Sequence, residues 1–200
     1  MKDAPARAAV CSLNDIDGKD LVRAEQVHGN IAAAAGIENG GTCLKGADGL
    51  VTSGKNTAVA IFTADCLPVF FGVKGKACGI AHAGWRGLQN GIIPSTAALF
   101  EAAFGCAARE ISASIGPHIC AGCYAIGEEI RKAFRLKAGE TNFDLAGEAV
   151  AQLKKAGIEK INVSGSCTCH ETELFFSYRK NKIPARIMSL TVFSNNSHML

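Results

Sequence analysis

The 200-residue sequence lacks a long hydrophobic run and a strong charge of either sign, and aromatic residues make up only 6% of it. No stretch of about 18 apolar residues is present, so we expect no membrane-spanning helix and no membrane partner. The first ten residues are too few and too charged for a signal peptide. The net charge of +3 comes from Lys and Arg scattered along the chain, which argues against nucleic acid as a partner.

Cysteine, by contrast, is frequent, with nine in the chain. An odd number of cysteines without a secretion signal argues against a disulfide framework. We therefore expect a reducing location, the cytoplasm, in which the thiols fill the core, bind metal or act as nucleophiles. The sequence leaves monomer and homodimer open as assembly states.

Short apolar runs and two helical patterns indicate the fold class. One helix is expected at 94–104 with Gly105 as its stop, and a second at 145–155, capped by Asp144. Strands are expected at 21–28, 56–64, 66–72, 76–82, 111–115, 161–163 and 187–193. This mixture predicts a single α+β domain over residues 1–200, with a frayed polar tail at 194–200.

A predicted hairpin brings a cysteine and a histidine together. A three-residue loop at 73–75 places its last residue, a glycine, in the left-handed position that such loops require. Gly72 then pairs with Lys76, and Cys66 lies directly opposite His82, with about 5 Å between the Cβ atoms. Such a pair can share a metal ion, or the imidazole can deprotonate the thiol.

Seven segments, taken together, resemble the YfiH or laccase-domain family. Members of this family were once labelled multicopper polyphenol oxidases and are now regarded as purine nucleoside phosphorylases. The segments, in the family's order, are Gln-Val-His-Gly (26–29), Ala-Asp-Gly-Leu-Val-Thr (47–52), Thr-Ala-Asp-Cys-Leu-Pro-Val (63–69), Ala-His-Ala-Gly-Trp-Arg-Gly (81–87), Ile-Gly-Pro (115–117), Cys-Tyr (123–124) and Phe-Phe-Ser-Tyr-Arg (175–179).

The resemblance implies a zinc ion held by His28, Cys66 and His82. Three protein ligands leave the fourth position of tetrahedral zinc open, as in catalytic sites. The resemblance also implies phosphorolysis of adenosine, inosine, guanosine and methylthioadenosine, together with hydrolytic deamination of adenosine. The expected partners are therefore purine nucleosides and phosphate. The implied fold is α+β, with mixed β-sheets flanked by helices, similar to a bacterial toxin domain that uses a Cys–His pair.

The chain departs from the family pattern at both ends. The family's Thr-Arg-x-Gly-Gly motif does not precede His28, and Ser12-Leu13-Asn14 matches only a fragment of the next family segment. Near the C-terminus, Ile183-Pro184-Ala185-Arg186 replaces the usual Thr-Gly-Arg. We interpret this as the loss of an arginine that normally touches substrate or phosphate.

Three residues are the candidates for the chemistry. Cys66 and His82 are expected to act directly. Asp65, beside Cys66, is the first candidate for proton transfer or for orienting a ligand, and its alternative role is that of a turn carboxylate.

Four further residues are candidates for substrate contact. Arg86, between two glycines, can bind phosphate with a bidentate fork, or it can be a surface arginine stacked on a tryptophan. Arg179 is a second candidate for the anion. His118 follows Gly-Pro and is expected to line the pocket, and Gln26 is expected to act as a neighbour that orients the first metal-binding histidine.

A second metal site is the weaker interpretation of two other motifs. Cys120 and Cys123 form C-x-x-C, and Cys167, Cys169 and His170 form C-x-C-H, so that together they can make a structural zinc site. The two pairs are 44 residues apart (167 minus 123), farther than in ordinary zinc fingers. The family resemblance instead places Cys123 and Cys167 near the core.

Four other functions stay open at this point. A metal-free hydrolase would use Cys66 as nucleophile and His82 as base. A copper polyphenol oxidase is possible because His₂Cys with a weak axial ligand is a blue-copper donor set. The remaining two are an editing factor for peptidoglycan precursors, which the family resemblance suggests, and a binding protein without turnover.

Overall fold

The computed structural model describes residues 4–193, so the expected frayed tail lies outside the described residues. The helices of that range are α1 (Ala4–Leu13), α2 (Trp85–Asn90), α3 (Ile92–Phe104), α4 (Glu128–Ala133), α5 (Leu145–Lys155) and α6 (Tyr178–Asn181). The strands are β1 (Leu21–Ala24), β2 (Ala32–Ala34), β3 (Cys43–Leu44), β4 (Gly49–Thr52), β5 (Ala58–Thr63), β6 (Leu67–Val73), β7 (Ala77–Ala83), β8 (Ser112–Ile115), β9 (Lys160–Val163) and β10 (Ile187–Val192). Within residues 4–193, every helix is too short or too polar to cross a membrane.

Two mixed sheets form the framework. The smaller sheet has the strand order β10-β5-β1-β3, and the larger has the order β2-β4-β7-β6-β8-β9. Antiparallel hairpin pairing joins β6 to β7, whereas β8 and β9 run parallel and are connected by a crossover that contains α4 and α5. The expected α+β class, with mixed sheets flanked by helices, is confirmed.

Alternation along the strands produces three layers of core. On β5, Val59 and Ile61 face the larger sheet. Ala58 and Ala60 point to the opposite face, where they pack with residues of α1 and with neighbouring side chains of β10. On the other side of the larger sheet, α3 and α5 bury an aliphatic face, with Phe100 at its centre. Burying these apolar surfaces is the main driving force that fixes the two sheets against each other.

Both predicted helices are confirmed. Gly105 ends α3 in the left-handed conformation at φ +62, and the side chain of Asp144 caps α5 by accepting from the backbone N–H of Gly147. The predicted first strand at 21–28 is wrong in its second half, because β1 ends at Ala24. The residues after Ala24 follow a loop, whose course a buried carboxylate determines.

Candidate metal centre

The hairpin that carries His82 differs from the predicted one by two residues in pairing. His82 pairs with Pro68, so Cys66 lies diagonally across from it and not directly opposite. The turn comprises residues 74–76, one position later than expected, because Gly75 takes φ +70 in the middle of the turn and not at its end. A shift of pairing by two, an even number, leaves the two side chains on one face of the sheet.

The structure brings together the three side chains predicted as metal ligands. One ligand atom each from His28, Cys66 and His82 lies within 4.8 Å of the others. The two imidazole rings meet edge to face, with centroids 4.8 Å apart. His28 is on the exposed side, Cys66 is partly buried and His82 is buried, so the group reaches from the core to the surface.

Asp48 organises this centre, and sequence reasoning missed it. Its buried carboxylate accepts hydrogen bonds from the backbone N–H groups of Val27, His28 and Gly29, at 3.0, 3.0 and 2.8 Å. It also lies 2.8 Å from Nδ1 of His82. The loop after β1 therefore wraps around one carboxylate, which satisfies its backbone N–H groups and holds His28 at φ +61.

Asp48 also orients the second imidazole. With Nδ1 of His82 bonded to the carboxylate, Nε2 is left for the side of Cys66, as in the carboxylate–histidine–metal arrangement. Asp48 belongs to the family-like segment at 47–52, but the sequence alone did not indicate a role for it. An acidic residue beside a glycine at the start of a strand usually marks a turn, so the signal was too weak.

The pKa values of the centre are coupled. Burial lowers the pKa of His82, but hydrogen bonds with Asp48 and Cys66 outweigh it and raise that pKa to about 9. Burial raises the pKa of Cys66, and hydrogen bonds from both histidines reverse this and lower it to about 6. Burial likewise opposes ionisation of Asp48, and bonds from His82, Gly29 and Val27 keep its pKa below the ordinary value. The group therefore favours a thiolate at neutral pH, the form that binds a metal.

Gly84 leaves open the space beside the three ligand atoms. A Cβ atom at this position would lie 3.1 Å from Sγ of Cys66, 3.4 Å from Cδ2 of His28 and 3.9 Å from Nε2 of His82. The absent side chain thus keeps room for an ion. Two imidazoles and one thiolate are a donor set that suits Zn²⁺, and also copper, so the residues fit a bound metal.

Two cavities adjoin the centre, and both are lined by His28, Ala64, Cys66 and Tyr178. The first, the Arg186 cavity, has a volume of about 450 Å³ and includes His82 in its wall. The remaining residues that line it are Glu25, Gln26, Phe62, Thr63 and Arg186. The second, the Arg86 cavity, has a volume of about 360 Å³. Its wall contains three cationic side chains and one acidic residue, together with two further aromatic residues, namely Arg86, Arg179, Lys182, Asp65, Trp85 and Tyr124.

Asp65 is placed differently from the expectation. Its carboxylate accepts from the hydroxyls of Thr168 and Ser177, at 2.8 and 2.7 Å, and from the backbone N–H of Arg179 at 2.6 Å. These bonds hold Asp65 in the left-handed region, at φ +92, directly before Cys66. The carboxylate thereby joins the Cys66 loop to the C-terminal segment, and the proton-transfer role of Asp65 stays a prediction.

Gln26 and His118 also have unexpected partners. The amide of Gln26 makes two bonds of 2.7 Å to the backbone N–H and carbonyl of Phe62, so it fixes the loop and does not orient the imidazole of His28. His118 is buried, with Nδ1 2.9 Å from the carbonyl oxygen of Gly116. His118 lies just after the end of β8 and lines neither cavity, and its contact with substrate stays a prediction.

Arg86 and Arg179 lie in one cavity, as their predicted roles require. The guanidinium of Arg86 stacks 4.3 Å above the ring of Trp85 and pairs with Glu129 at 3.1 Å. Arg179 donates to the carbonyl of Ala125 at 2.8 Å. Arg86 therefore both stacks on Trp85 and lines the cavity, two roles that the sequence analysis treated as alternatives.

Arg186 corrects the expected loss of an arginine near the C-terminus. It lies in the wall of the Arg186 cavity, to which Cys66 and His82 also contribute. Its guanidinium donates to the carbonyl of Ala185 at 2.8 Å and lies 5.7 Å from the ring centroid of Tyr178. The signal in the sequence was the arginine at the end of Pro-Ala-Arg, at the same place as in Thr-Gly-Arg.

Comparisons with known proteins agree with this architecture. A family model described as multi-copper polyphenol oxidoreductase laccase matches residues 4–194. The purine nucleoside phosphorylase of Aquifex aeolicus is 38% identical over 151 residues, which cover 72% of this chain and 70% of that protein. The purine nucleoside phosphorylase YfiH of Escherichia coli is 34% identical over 177 residues, which cover 82% of this chain and 70% of that protein.

Solved structures share the fold. YlmD from Geobacillus stearothermophilus superposes with a TM-score of 0.89 at 27% identity, over 94% of this chain and 78% of that chain. The hypothetical protein YfiH of Bacillus licheniformis superposes with a TM-score of 0.86 at 31% identity, over 92% of this chain and 78% of that chain.

Proposed function

This chain belongs to the multi-copper polyphenol oxidoreductase laccase family, and from that premise we propose that it is a zinc-dependent purine nucleoside phosphorylase. The observation that carries the proposal is the convergence of His28, Cys66 and His82 beside two cavities, both of which His28 and Cys66 line. Relatives named purine nucleoside phosphorylase, at 30–38% identity, support the reaction class.

The metal ligands are His28, Cys66 and His82. Zinc bound by these residues would supply a Lewis acid for the reaction. The contribution of the protein is orientation, because Asp48 fixes the tautomer of His82 and the backbone around His28. Copper is the alternative that the family name suggests, and elemental analysis separates the two metals.

We assign phosphate to the Arg86 cavity. Phosphorolysis needs a phosphate oxygen to attack C1′ of the nucleoside while the purine leaves with the electrons of the glycosidic bond. Arg86, Arg179 and Lys182 supply positive charge for that dianion. Arg86 and Glu129 form an ion pair whose side chains are 52% and 68% exposed. Such an exposed pair contributes little free energy, so phosphate can displace the Glu129 carboxylate at little cost.

We assign the purine to the Arg186 cavity. A volume of about 450 Å³ is in the range of small-molecule sites. Among residues 4–193, the hydroxyl of Thr63 in its wall is one of two buried side-chain polar atoms without a hydrogen-bond partner, which a polar ligand would satisfy. Arg186 can stabilise negative charge that develops on the leaving base.

The finer activities follow from the same site. Adenosine deamination exchanges the amino group at C6 for oxygen from water, and methylthioadenosine adds an apolar thioether that Phe62 and Tyr178 can contact. Because Asp65 is engaged by three donors, we assign it to positioning Cys66 and not to proton transfer.

Product analysis tests this function. The zinc-loaded protein, incubated with adenosine, is expected to give adenine and ribose 1-phosphate only when phosphate is present, and inosine with or without phosphate. Cys66→Ala is expected to abolish all of these products, and Cys43→Ser, a thiol in another part of the fold, is expected to keep them. Unchanged turnover by Cys66→Ala, or no turnover by the zinc-loaded protein, would reject the proposal.

A metal-free hydrolase is the second candidate, because Cys66, His82 and Asp48 also form a nucleophile–base–carboxylate series. In metal-stripped protein, the lowered pKa of Cys66 predicts a reactive thiolate above about pH 6. A hydrolase of this kind keeps its activity without zinc and loses it to iodoacetamide. The phosphorylase that we propose loses activity on metal removal and regains it with zinc.

We place the enzyme in the cytoplasm. All nine cysteines are free thiols in the structure, which agrees with a reducing compartment. Purine nucleosides and phosphate are its expected partners.

A further inference from the structure

Two cysteine-containing segments follow adjacent parallel strands. β8 and β9 pair from Ser112 with Lys160 to Ile115 with Val163, so their carboxyl ends lie at one edge of the sheet. Beyond the strands, His118 and Cys167 form one more parallel bridge. The C-x-x-C after β8 and the C-x-C-H after β9 therefore meet, and their separation of 44 residues is the length of the crossover between parallel strands.

Four side chains from these segments, Cys120, Cys123, Cys167 and His170, form a compact cluster. One ligand atom from each lies within 4.8 Å of all the others. Sγ of Cys123 is 3.0 Å from Nε2 of His170. Zn–S bonds of about 2.3 Å in a tetrahedron place the ligand atoms about 3.8 Å apart, so the largest separation exceeds that spacing by only about 1 Å.

The surroundings of the sulfur atoms favour a bound cation. The backbone N–H of Cys120 donates to Sγ of Cys167 at 3.3 Å. Several thiolates at this spacing repel one another, and a divalent cation removes that repulsion.

We propose that Cys120, Cys123, Cys167 and His170 bind one Zn²⁺ ion as a second, structural metal site. Three thiolates and one imidazole complete a tetrahedron, which leaves no position for a reactant. The site goes beyond the proposed phosphorylase activity, and none of its ligands lines either cavity of the first centre.

The second site is connected to the loop that carries Cys66. Thr168, next to the ligand Cys167, donates its hydroxyl to the carboxylate of Asp65 at 2.8 Å. Ile119, next to the ligand Cys120, donates its backbone N–H to the carbonyl of Asp65 at 3.0 Å. Zinc in the cluster therefore holds both segments against the residue that precedes Cys66.

Zinc stoichiometry of the purified full chain, measured by elemental analysis, tests the proposal. The unaltered protein is expected to contain two zinc ions per chain, and Cys66→Ala and Cys123→Ser one each. Cys43→Ser is the thiol control and is expected to keep two. Cys169→Ser is also expected to keep two, because Cys169 is outside the set of four.

A spectroscopic measurement covers the case in which Cys123→Ser fails to fold. His170 is exposed, so His170→Ala leaves the core intact and is expected to release the same ion. Cobalt substituted into Cys66→Ala is expected to show the thiolate-to-cobalt charge-transfer and strong visible bands of tetrahedral coordination, and His170→Ala in that background is expected to lose them. The proposal would be overturned by a single zinc that Cys66→Ala loses and Cys123→Ser keeps, or by iron in place of zinc. Two zinc ions in a protein without turnover would reject the phosphorylase and leave the second site standing.

Discussion

The two histidine–cysteine centres of this molecule differ in how many ligands they offer and in what surrounds them. The centre at Cys66 has three donors and lies between two cavities. The cluster at Cys123 has four donors, which come from two adjacent strand ends. A metal with three protein ligands keeps a position for a reactant and one with four does not, so we expect the first centre to be reactive and the second to be structural.

The supports of the two centres differ as well. At the first, a buried carboxylate, Asp48, holds both a loop and an imidazole, so the ligands are oriented before an ion arrives. At the second, backbone N–H groups donate to sulfur, and the ligand segments are short loops. We therefore expect changes at the first centre to alter catalysis, and changes at the second to alter mainly the free energy of unfolding.

A reciprocal pair of variants has the largest expected effect. Cys66→Ala should abolish turnover and shift the melting temperature by less than about 4 °C, a loss of about 1 kcal/mol. Cys123→Ser should lower the melting temperature by about 8–16 °C, the effect of losing about 4 kcal/mol with a structural metal. Thermal unfolding and adenosine phosphorolysis, measured on both variants, test the contrast. The comparison fails if Cys123→Ser loses activity with an unchanged melting temperature.

Removing the buried carboxylate has the next largest effect. Asp48→Asn weakens the hold on His82 and on the loop of His28, so zinc affinity or turnover should fall about 10–100-fold. Asp144→Asn is the matched control, because asparagine caps a helix about as well as aspartate and the Asp144 carboxylate accepts from the backbone N–H of Gly147, which is not part of the ligand loop. Zinc titration against a competing chelator measures the difference, and equal affinities for the two variants would contradict the role of Asp48.

The sequence predicted the parts of this comparison that depend on local patterns. Helix stops and caps at Gly105 and Asp144 follow local rules, and short apolar runs located most strands. The face shared by Cys66 and His82 was also correct, because the side-chain period of a strand tolerates an error of two residues in register.

What could not be predicted depends on distant hydrogen bonds. The end of β1 at Ala24 is set by Asp48, which is 24 residues away in the chain (48 minus 24). The role of Asp65 depends on hydroxyls more than 100 residues away. The cluster at Cys123 required the parallel pairing of β8 and β9, which no spacing rule for zinc fingers describes.

Replacing Arg86 tests the phosphate site that we propose in the Arg86 cavity. Arg86→Ala removes a charged hydrogen-bond donor worth about 1.5 kcal/mol, so KM for phosphate should rise about tenfold while deamination of adenosine stays unchanged. Arg109→Ala, in the turn of residues 108–110, is the control for loss of one positive charge. Initial rates at varied phosphate concentration measure this, and an equal loss of both reactions would show that Arg86 acts on the nucleoside or on the fold.

The smallest expected difference in zinc binding between the two centres comes from alanine substitutions at two matched glycines. Gly84 and Gly127 are both helix N-caps with negative φ, −76 and −94, so alanine is compatible with either backbone. A Cβ on Gly84 meets Sγ of Cys66 at 3.1 Å, whereas none of the described atoms lies within 4 Å of one on Gly127. Gly84→Ala should therefore weaken zinc binding at the first centre a few-fold, about 1 kcal/mol of crowding, and keep the second zinc. Gly127→Ala should keep both ions and full turnover. If the two variants bind zinc equally well, the space beside Gly84 is not where the ion binds.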